Sequence, residues 1–387
     1  MNLDFFLGLI TAFDIADVLN QFTYQIRAYE VEPGAVDAVT STVVDDLHRV
    51  IKERDIFELE DHWTRIFVGT RLETIARYVA KIRHLTTSEQ FTGAMEAARR
   101  AYDEIELDPF RVRPIVKVIG EFWAQTTEGA GNFHIHRFLE REGAEVYVDR
   151  TLFTRLSWLL HQHKSQARDR KGLLGGESRW KHYTAYYKKL GILTLAERIL
   201  RRENKRLLDA MGGTLHEMVP HALMERLARP YWNWRTTSGE SHMEIAENIY
   251  YHTHHLCHMV LSVKPFTCMP STQSDGVQAR VMEDYPGMIF LPIETSGDGE
   301  VIAHSRVQMA LGGARNKARK EMADVLAASR WTLDDMKAYA ADHPRITRAS
   351  YKVPHHPGVV GRAANLALHV SSLLDARPEA VSTGRGG

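Results

Sequence analysis

Both cysteines of this chain and a cluster of its histidines fall in one stretch, His252 to Gly276, HTHHLCHMVLSVKPFTCMPSTQSDG. These residue types ligate soft and borderline metals. Cys257 and Cys268 are eleven positions apart, at opposite ends of an apolar run, Met259 to Val263, that reads as a buried strand. A strand of that length spans about 17 Å, so both thiols reach one ion only if the chain folds back. There is no CxxC pair, and two cysteines are too few for the all-thiolate ligand set usual for an iron–sulfur cluster. A cluster would be shared with another chain, or completed by histidine, carboxylate or an exogenous ligand. Cys268 is the better placed, in a loop at the strand's carboxyl end. Cys257 reads first as a buried, unreactive thiol. His254 and His258 share one face if helix persists that far, a spacing that suits zinc. The general-base Glu of HExxH is missing, and supporting or proton-donor roles beside the Cys268 loop fit as well.

Polar, glycine-bearing segments after strand-like runs form a second group of candidates. The first contributes Glu121, Thr126, Thr127, Glu128 and Asn132. The second contributes Lys264, Cys268, Ser271, Thr272, Ser274 and Asp275. The third contributes Glu294, Thr295, Ser296, Asp298 and Glu300. In a parallel sheet these would meet at the carboxyl edge, where ligands bind in open α/β folds. Their glycines permit close backbone approach. None is a P-loop and none matches GxGxxG, so a nucleotide site of the familiar kinds is not supported. A ligand crevice is the favoured reading, and ordinary connecting loops the alternative.

The elements that must position these residues follow from periodicity. Residues 1–110 read as helical: Phe6, Leu9, Ile10 and Phe13 recur at helical spacing, as do Val36, Val39, Val43 and Leu47 after Pro33-Gly34. Thr87-Ser88-Glu89-Gln90 resembles a capping box, with Phe91, Met95, Ala98 and Tyr102 marking one face after it. Residues 111–150 read as a first Rossmann-like βαβ unit: strand Ile115 to Ile119, a long loop Gly120 to Asn132, helix Phe133 to Glu142 with Gly143 as its cap, and strand Glu145 to Val148. Residues 151–243 form a helical, basic insertion, with Lys164, Arg168, Arg170, Lys171, Arg201, Arg202, Lys205 and Arg206 among its charges. It is a solvated helical face, or an electropositive mouth for a phosphorylated ligand or acidic partner. Residues 244–325 hold the second βαβ unit: strand Met259 to Val263, loop Lys264 to Ser274, helix Asp275 to Asp284, strand Met288 to Leu291, then a loop and a long helix from near His304. A C-terminal helical region spans 326–375, and 376–387 reads as a disordered tail. The fold class is α/β, with parallel sheets in two lobes beside large helical segments.

The totals narrow the partners. The chain has 387 residues, 49 basic against 49 acidic. That balance argues against nucleic acid and against a polybasic membrane role. Two cysteines fit a reducing, cytoplasmic setting rather than a disulfide scaffold. The opening MNLDFFLGLITAFDIADVL lacks a basic n-region, and no apolar run reaches about 18 residues. The abrupt helical start suggests an upstream domain on a separate subunit.

Three segments then carry a resemblance: KVIGEFWAQTTEGAGNFHIHRFLEREGAEV, NIYYHTHHLCHMVLSVKPFTCMPSTQSDGVQARV and MIFLPIETSGDGEVIAHSRVQMAL, with QIRAYEVEPG near the start. Taken in order they resemble the 2-hydroxyglutaryl-CoA dehydratase and CoA-activase-related family across most of residues 15–325. The resemblance implies Rossmann-like domains and iron–sulfur chemistry. In that system an ATP-driven activase passes low-potential electrons to a dehydratase, which removes water from a 2-hydroxyacyl-CoA by a ketyl-radical route; benzoyl-CoA reductases are a related branch. Cys268 in KPFTCMPS matches the family's PFGCMP-type cysteine, a candidate cluster ligand. Thr267 stands where the family has glycine, Ala130 where an acidic residue is expected and Ala28 where proline is expected. No actin-like phosphate loops are present, so the chain is not the activase itself.

The resulting expectation is a component of a 2-hydroxyacyl-CoA dehydratase/CoA-activase-type iron–sulfur system. Its partners would be other subunits of that system, including an ATP-dependent activase and a separate upstream-domain subunit, and acyl-CoA would be its substrate class. Lys264, Ser271, Asp275 and Glu121 are the candidate catalytic residues. Cys268, Thr126, Thr127, Glu128, Asn132 and Ser274 are the candidate cofactor-binding residues. Cys268 and Cys257 are the candidate ligands of a [4Fe–4S] cluster shared with another chain. A scaffold or electron-transfer subunit without its own cluster, and a zinc hydrolase using His252 to His258, are the alternatives.

Overall fold

The computed structural model describes residues 3–53, 79–81, 83–84, 88–171, 179–236 and 239–376. The capping-box residue Thr87, much of the helical reading between residues 54 and 87, and the tail reading after 376 lie outside the described residues. The architecture is α/β: mostly helix, around a parallel sheet of four strands. The strands are β1 (Ile115–Gly120), β2 (Glu145–Val148), β3 (Met259–Pro265) and β4 (Phe290–Thr295). Their order across the sheet is β2-β1-β3-β4. The two βαβ units therefore do not make separate lobes with separate sheets. They join through β1 and β3, which pair in register from Val116↔Met259 to Gly120↔Val263.

The composition of the central strands explains their place. IVKVIG and MVLSVKP are nearly continuous apolar runs, and every residue of β1, and of β3 up to Lys264, is buried. Such strands are stable only with both faces covered. One face carries Val116, Val118, Val146, Leu261 and Val263. It packs against α5 (Ile135–Arg141), the helix of the β1–β2 crossover, and α11 (Glu300–Ala328). The other carries Ile115, Ile119, Tyr147 and Val260, packed against α8 (His221–Ala228) and α9 (Ser241–Thr253). Val281 of α10 (Met269–Asp284), the β3–β4 crossover, also packs on this second face. The two crossovers leave on opposite faces, so the order of strands reverses between β1 and β3. A crevice opens at such a switch point, outside the carboxyl ends of the two strands.

Two helical layers flank this core. α1 (Leu3–Arg27), α2 (Ala35–Lys52) and α3 (Gln90–Asp103) pack with the end of α7 (Arg179–Ala210). The second layer is α12 (Leu333–Asp342) and α13 (Arg362–Asp375), packed on the far end of α11. α4 (Phe122–Thr126) and α6 (Thr151–Asp169) follow β1 and β2 directly.

Several boundaries differ from the sequence-based expectation. The loop expected over Lys264 to Ser274 is mostly helix: β3 runs to Pro265 and α10 starts at Met269. Pro270, in the first turn of α10, suits a helix start because its missing N–H needs no partner there. The long loop expected after β1 contains α4 and a short 3-10 turn, Ala130–Asn132. β4 begins two residues later than expected and continues through Thr295. No described helix is long and apolar enough to cross a membrane.

Candidate functional site at the switch point

The crevice is built on a close approach of the two central strands. Gly120 ends β1 at φ 122°, and a Cβ there would stand 2.1 Å from the Val263 carbonyl oxygen. Only glycine fits. The next residue, Glu121, donates its backbone N–H to the same Val263 oxygen at 2.9 Å. Its side chain then caps α4, accepting from the Trp123 and Ala124 N–H groups.

β3 passes to α10 through Phe266, Thr267 and Cys268. Thr267 sits in the left-handed region at φ 66°, where a β-branched residue is strained. This is the position at which the resemblance expects glycine. Cys268 caps the start of α10, partly exposed, and its Sγ lies 3.5 Å from the Ser271 hydroxyl. Ser271 and Ser274 are fully buried on the inner face of α10.

Facing them is a stripe that sequence reasoning missed. Glu240, Glu244 and Glu247 are spaced by four and three residues at the start and on the inner face of α9, and all are buried. The Ser271 hydroxyl donates to Glu244 Oε1 at 2.6 Å, and Ser262 of β3 lies 3.3 Å from Glu244 Oε2. Glu240 Oε1 stands 3.5 Å from the same Ser271 oxygen. Burial pushes the Glu244 carboxyl up to about 7, against the lowering effect of its bond from Ser271. Burial likewise raises Glu240, partly offset by Arg155. A small cavity of about 30 Å³ lies beside Phe122, Arg155, Glu240 and Glu247, enough for one water. The legible signal was the spacing itself: acidic residues on one face of an otherwise apolar helix, continued by Tyr251.

Deeper along the same interface lies an ion pair that sequence reasoning also missed. Lys117 of β1 is fully buried, with Nζ 2.8 Å from Asp149 Oδ2. Its ammonium lies over the Tyr147 and Tyr251 rings, at 4.4 and 4.7 Å. Tyr251 donates to Asp149 Oδ1 at 3.0 Å. Burial alone would raise the Asp149 carboxyl, but Lys117, Tyr251 and Arg150 together hold it below its ordinary value. For Glu247, burial and the Asp149 charge push the carboxyl upward, only partly opposed by Lys117. Lysine in a predicted buried strand was the available signal.

The structure brings some of the expected residues together and disperses others. Lys264 is fully buried and ion-paired with Asp275 across the β3–α10 junction. Burial lowers its ammonium, with the charges of Glu244, Glu294 and Cys268 opposing that shift. Lys264, Cys268, Ser271 and Asp275 thus form one cluster, with Ser274 buried on the same helix. The residues after β1 are committed mainly to their own loop. Thr126 donates to the Phe122 carbonyl and Thr127 to the Trp123 carbonyl, at 2.6 and 2.7 Å. Asn132 is buried and bonds to the Ala124 and Thr127 carbonyls. Glu128 pairs with Arg27 and Arg137 at 3.5 and 3.3 Å.

Cys257 precedes β3 and Cys268 follows it, at opposite ends of the strand. Burial pushes the Cys257 thiol up to about 12. The histidine face fails to form, because α9 ends at Thr253. His254 stacks on Tyr250, with ring centres 4.1 Å apart. His258 is instead a clamp: its Nδ1 accepts the Ile115 N–H at 2.9 Å, and its Nε2 lies 3.6 Å from Glu321. Among the described residues, no group of three or more His, Cys, Asp and Glu side chains stands close enough to hold a metal ion. In the basic insertion, Lys164 and Arg201 share Glu197, Lys205 pairs with Asp209 and Arg206 with Glu203, so much of its charge is neutralised locally.

The carboxyl edge is also unusually apolar on its outside. Trp123 after β1, Phe266 and Met269 after β3, and Val301 and Ile302 after β4 are 63–78% exposed. Cys268 lies within this rim. Compared with protein-family models, with curated proteins and with solved structures, the chain matches none of them.

Proposed function

We propose that this chain is a Rossmann-like subunit of a 2-hydroxyacyl-CoA dehydratase/CoA-activase-type iron–sulfur system, working with an ATP-dependent activase and further subunits in acyl-CoA dehydration or reduction. The supporting observation is the position of Cys268: a partly exposed thiol at the switch point, capping α10 and set in an exposed apolar rim. Exposed apolar surface of this kind marks a contact surface.

A complete [4Fe–4S] cluster does not fit this chain alone, since the described residues offer no set of ligands around Cys268. One ligand position does fit, with Cys268 as the thiolate and the remaining ligands on a partner. Such a cluster supplies single low-potential electrons. The chain's own residues would set the surroundings. The Ser271 hydroxyl links the thiol to the Glu244 carboxyl, whose value near 7 lets it hold or release a proton at working pH. The buried Lys264 ammonium supplies positive charge beside the thiol.

The test is anaerobic purification of the chain, alone and with its partner subunits, with iron, sulfide and zinc measured. Iron and sulfide in the complex that vanish with Cys268→Ala are the expected result. An intact complex without iron would replace this reading with that of a cluster-free scaffold.

A further inference from the structure

A second cavity, about 790 Å³, lies on the other side of the α5 crossover, between α5, the α1–α2 connection and the segment leading into β1. That volume is within the range of small-molecule sites. Its walls carry Arg27, Arg111, Arg113, Arg137 and Arg141. Two of these are already matched: Arg27 pairs with Asp37 and Glu140 at 2.9 and 3.0 Å, and Arg137 with Asp37 at 2.9 Å.

The remaining three are differently placed. Arg111 donates to the Glu30 carbonyl at 3.0 Å and has Asp108 only at 3.7 Å. Arg113 donates through Nε to the Ala28 carbonyl at 3.1 Å. These bonds anchor each guanidinium through one N–H; Arg113 Nη1 lies against Gly143, and both side chains line the cavity. Among the described residues, neither Arg113 nor Arg141 has a carboxylate within ion-pair distance. Burial lowers the Arg113 guanidinium below its ordinary value, and the charges of Arg111 and Arg315 add to that against the opposing charge of Asp108.

The acids lining the cavity do not balance them. Glu30 accepts the Gly34 and Val36 N–H groups at the start of α2, which orients its carboxylate without cancelling its charge, and Glu140 is paired with Arg27. With Glu300 they set three carboxylates against five arginines. Guanidinium groups gathered around one cavity with N–H groups to spare are the chemistry that recognises multiply charged phosphate.

We infer that the cavity bounded by Arg111, Arg113 and Arg141 is a binding site for a diphosphate group, free or esterified. The inference rests on this cavity alone and is independent of the iron–sulfur reading.

Calorimetric titration of the purified full chain with pyrophosphate, ADP, orthophosphate and malonate tests it. Pyrophosphate or ADP should bind at least about tenfold more tightly than orthophosphate, and more weakly as ionic strength rises. ADP binding tighter than pyrophosphate identifies an organic ester as the ligand; equal binding identifies the free anion. Arg141→Gln, at an exposed position, and Arg113→Gln should each weaken binding about tenfold or more. Melting curves of each variant establish that it is folded. No binding, equal binding of malonate, or binding untouched in the folded Arg141→Gln protein would overturn the inference.

Discussion

The Ser271 hydroxyl and the Glu244 carboxylate meet at 2.6 Å, both buried, between a helix that follows β3 and a helix that precedes it. Ser271 also stands 3.5 Å from Cys268 Sγ. A thiol at the surface is thereby connected through one hydroxyl to a carboxyl in the interior.

That carboxyl makes stability depend on pH. Glu244 titrates near 7 in the fold against 4.5 for an ordinary glutamate, chiefly because of burial. A raised value means the folded state favours the protonated form. This contribution to stability is fully present below about pH 4.5 and is lost as pH rises through 7, on the order of 3 kcal/mol in all. Glu244→Gln should flatten the fall between those limits. Urea melts from pH 5 to 8 check this, and an unchanged slope would refute it.

The Lys117–Asp149 pair is buried and ringed by tyrosines. Lys117→Met should destabilise by about 3–5 kcal/mol, because it strands the Asp149 charge. The double change Lys117→Met with Asp149→Asn should recover part of that loss. Denaturant unfolding of the single and double variants reads out the coupling.

Backbone geometry gives opposite expectations at the ends of the two central strands. Gly120→Ala drives a Cβ into the Val263 carbonyl and should cost several kcal/mol or prevent folding. Thr267→Gly relieves a left-handed threonine and should stabilise by about 0.5–1 kcal/mol, the strain relieved exceeding the added chain entropy. Shifts in urea midpoint of opposite sign check the pair.

The two thiols should react at different rates. Cys257 is buried, with its thiol pushed up to about 12, while Cys268 is partly exposed. A thiol reagent should modify one cysteine in the native chain and both in denaturant. Cys268→Ser should remove the native reaction.

Much of this was legible in local sequence. The apolar runs of β1, β2 and β3 announce buried parallel strands, because only such strands are apolar at successive positions on both faces. The run Lys264 to Asp275 was correctly placed at a strand's carboxyl end, and its clustering of Lys264, Cys268, Ser271 and Asp275 is found in the fold. What the sequence by itself determined was therefore the strands, their parallel βαβ setting, and the one partly exposed cysteine beside them.

The tertiary structure decided the rest. That β1 pairs with β3 rather than each unit keeping its own sheet is a contact across the whole basic insertion, which no local pattern encodes. That pairing makes the switch point, and it sets Glu244 of α9 against Ser271 of α10. It also decided which polar residues are free. Thr126 and Asn132 look like ligand groups in sequence, but a backbone turning sharply after a strand needs partners for its own carbonyl groups, and these side chains supply them, while Glu128 is paired with Arg27 and Arg137. The arginine cavity likewise exists only in the fold, because Arg111 and Arg113 precede β1 while Arg141 ends α5, and the fold brings the two segments to one cavity.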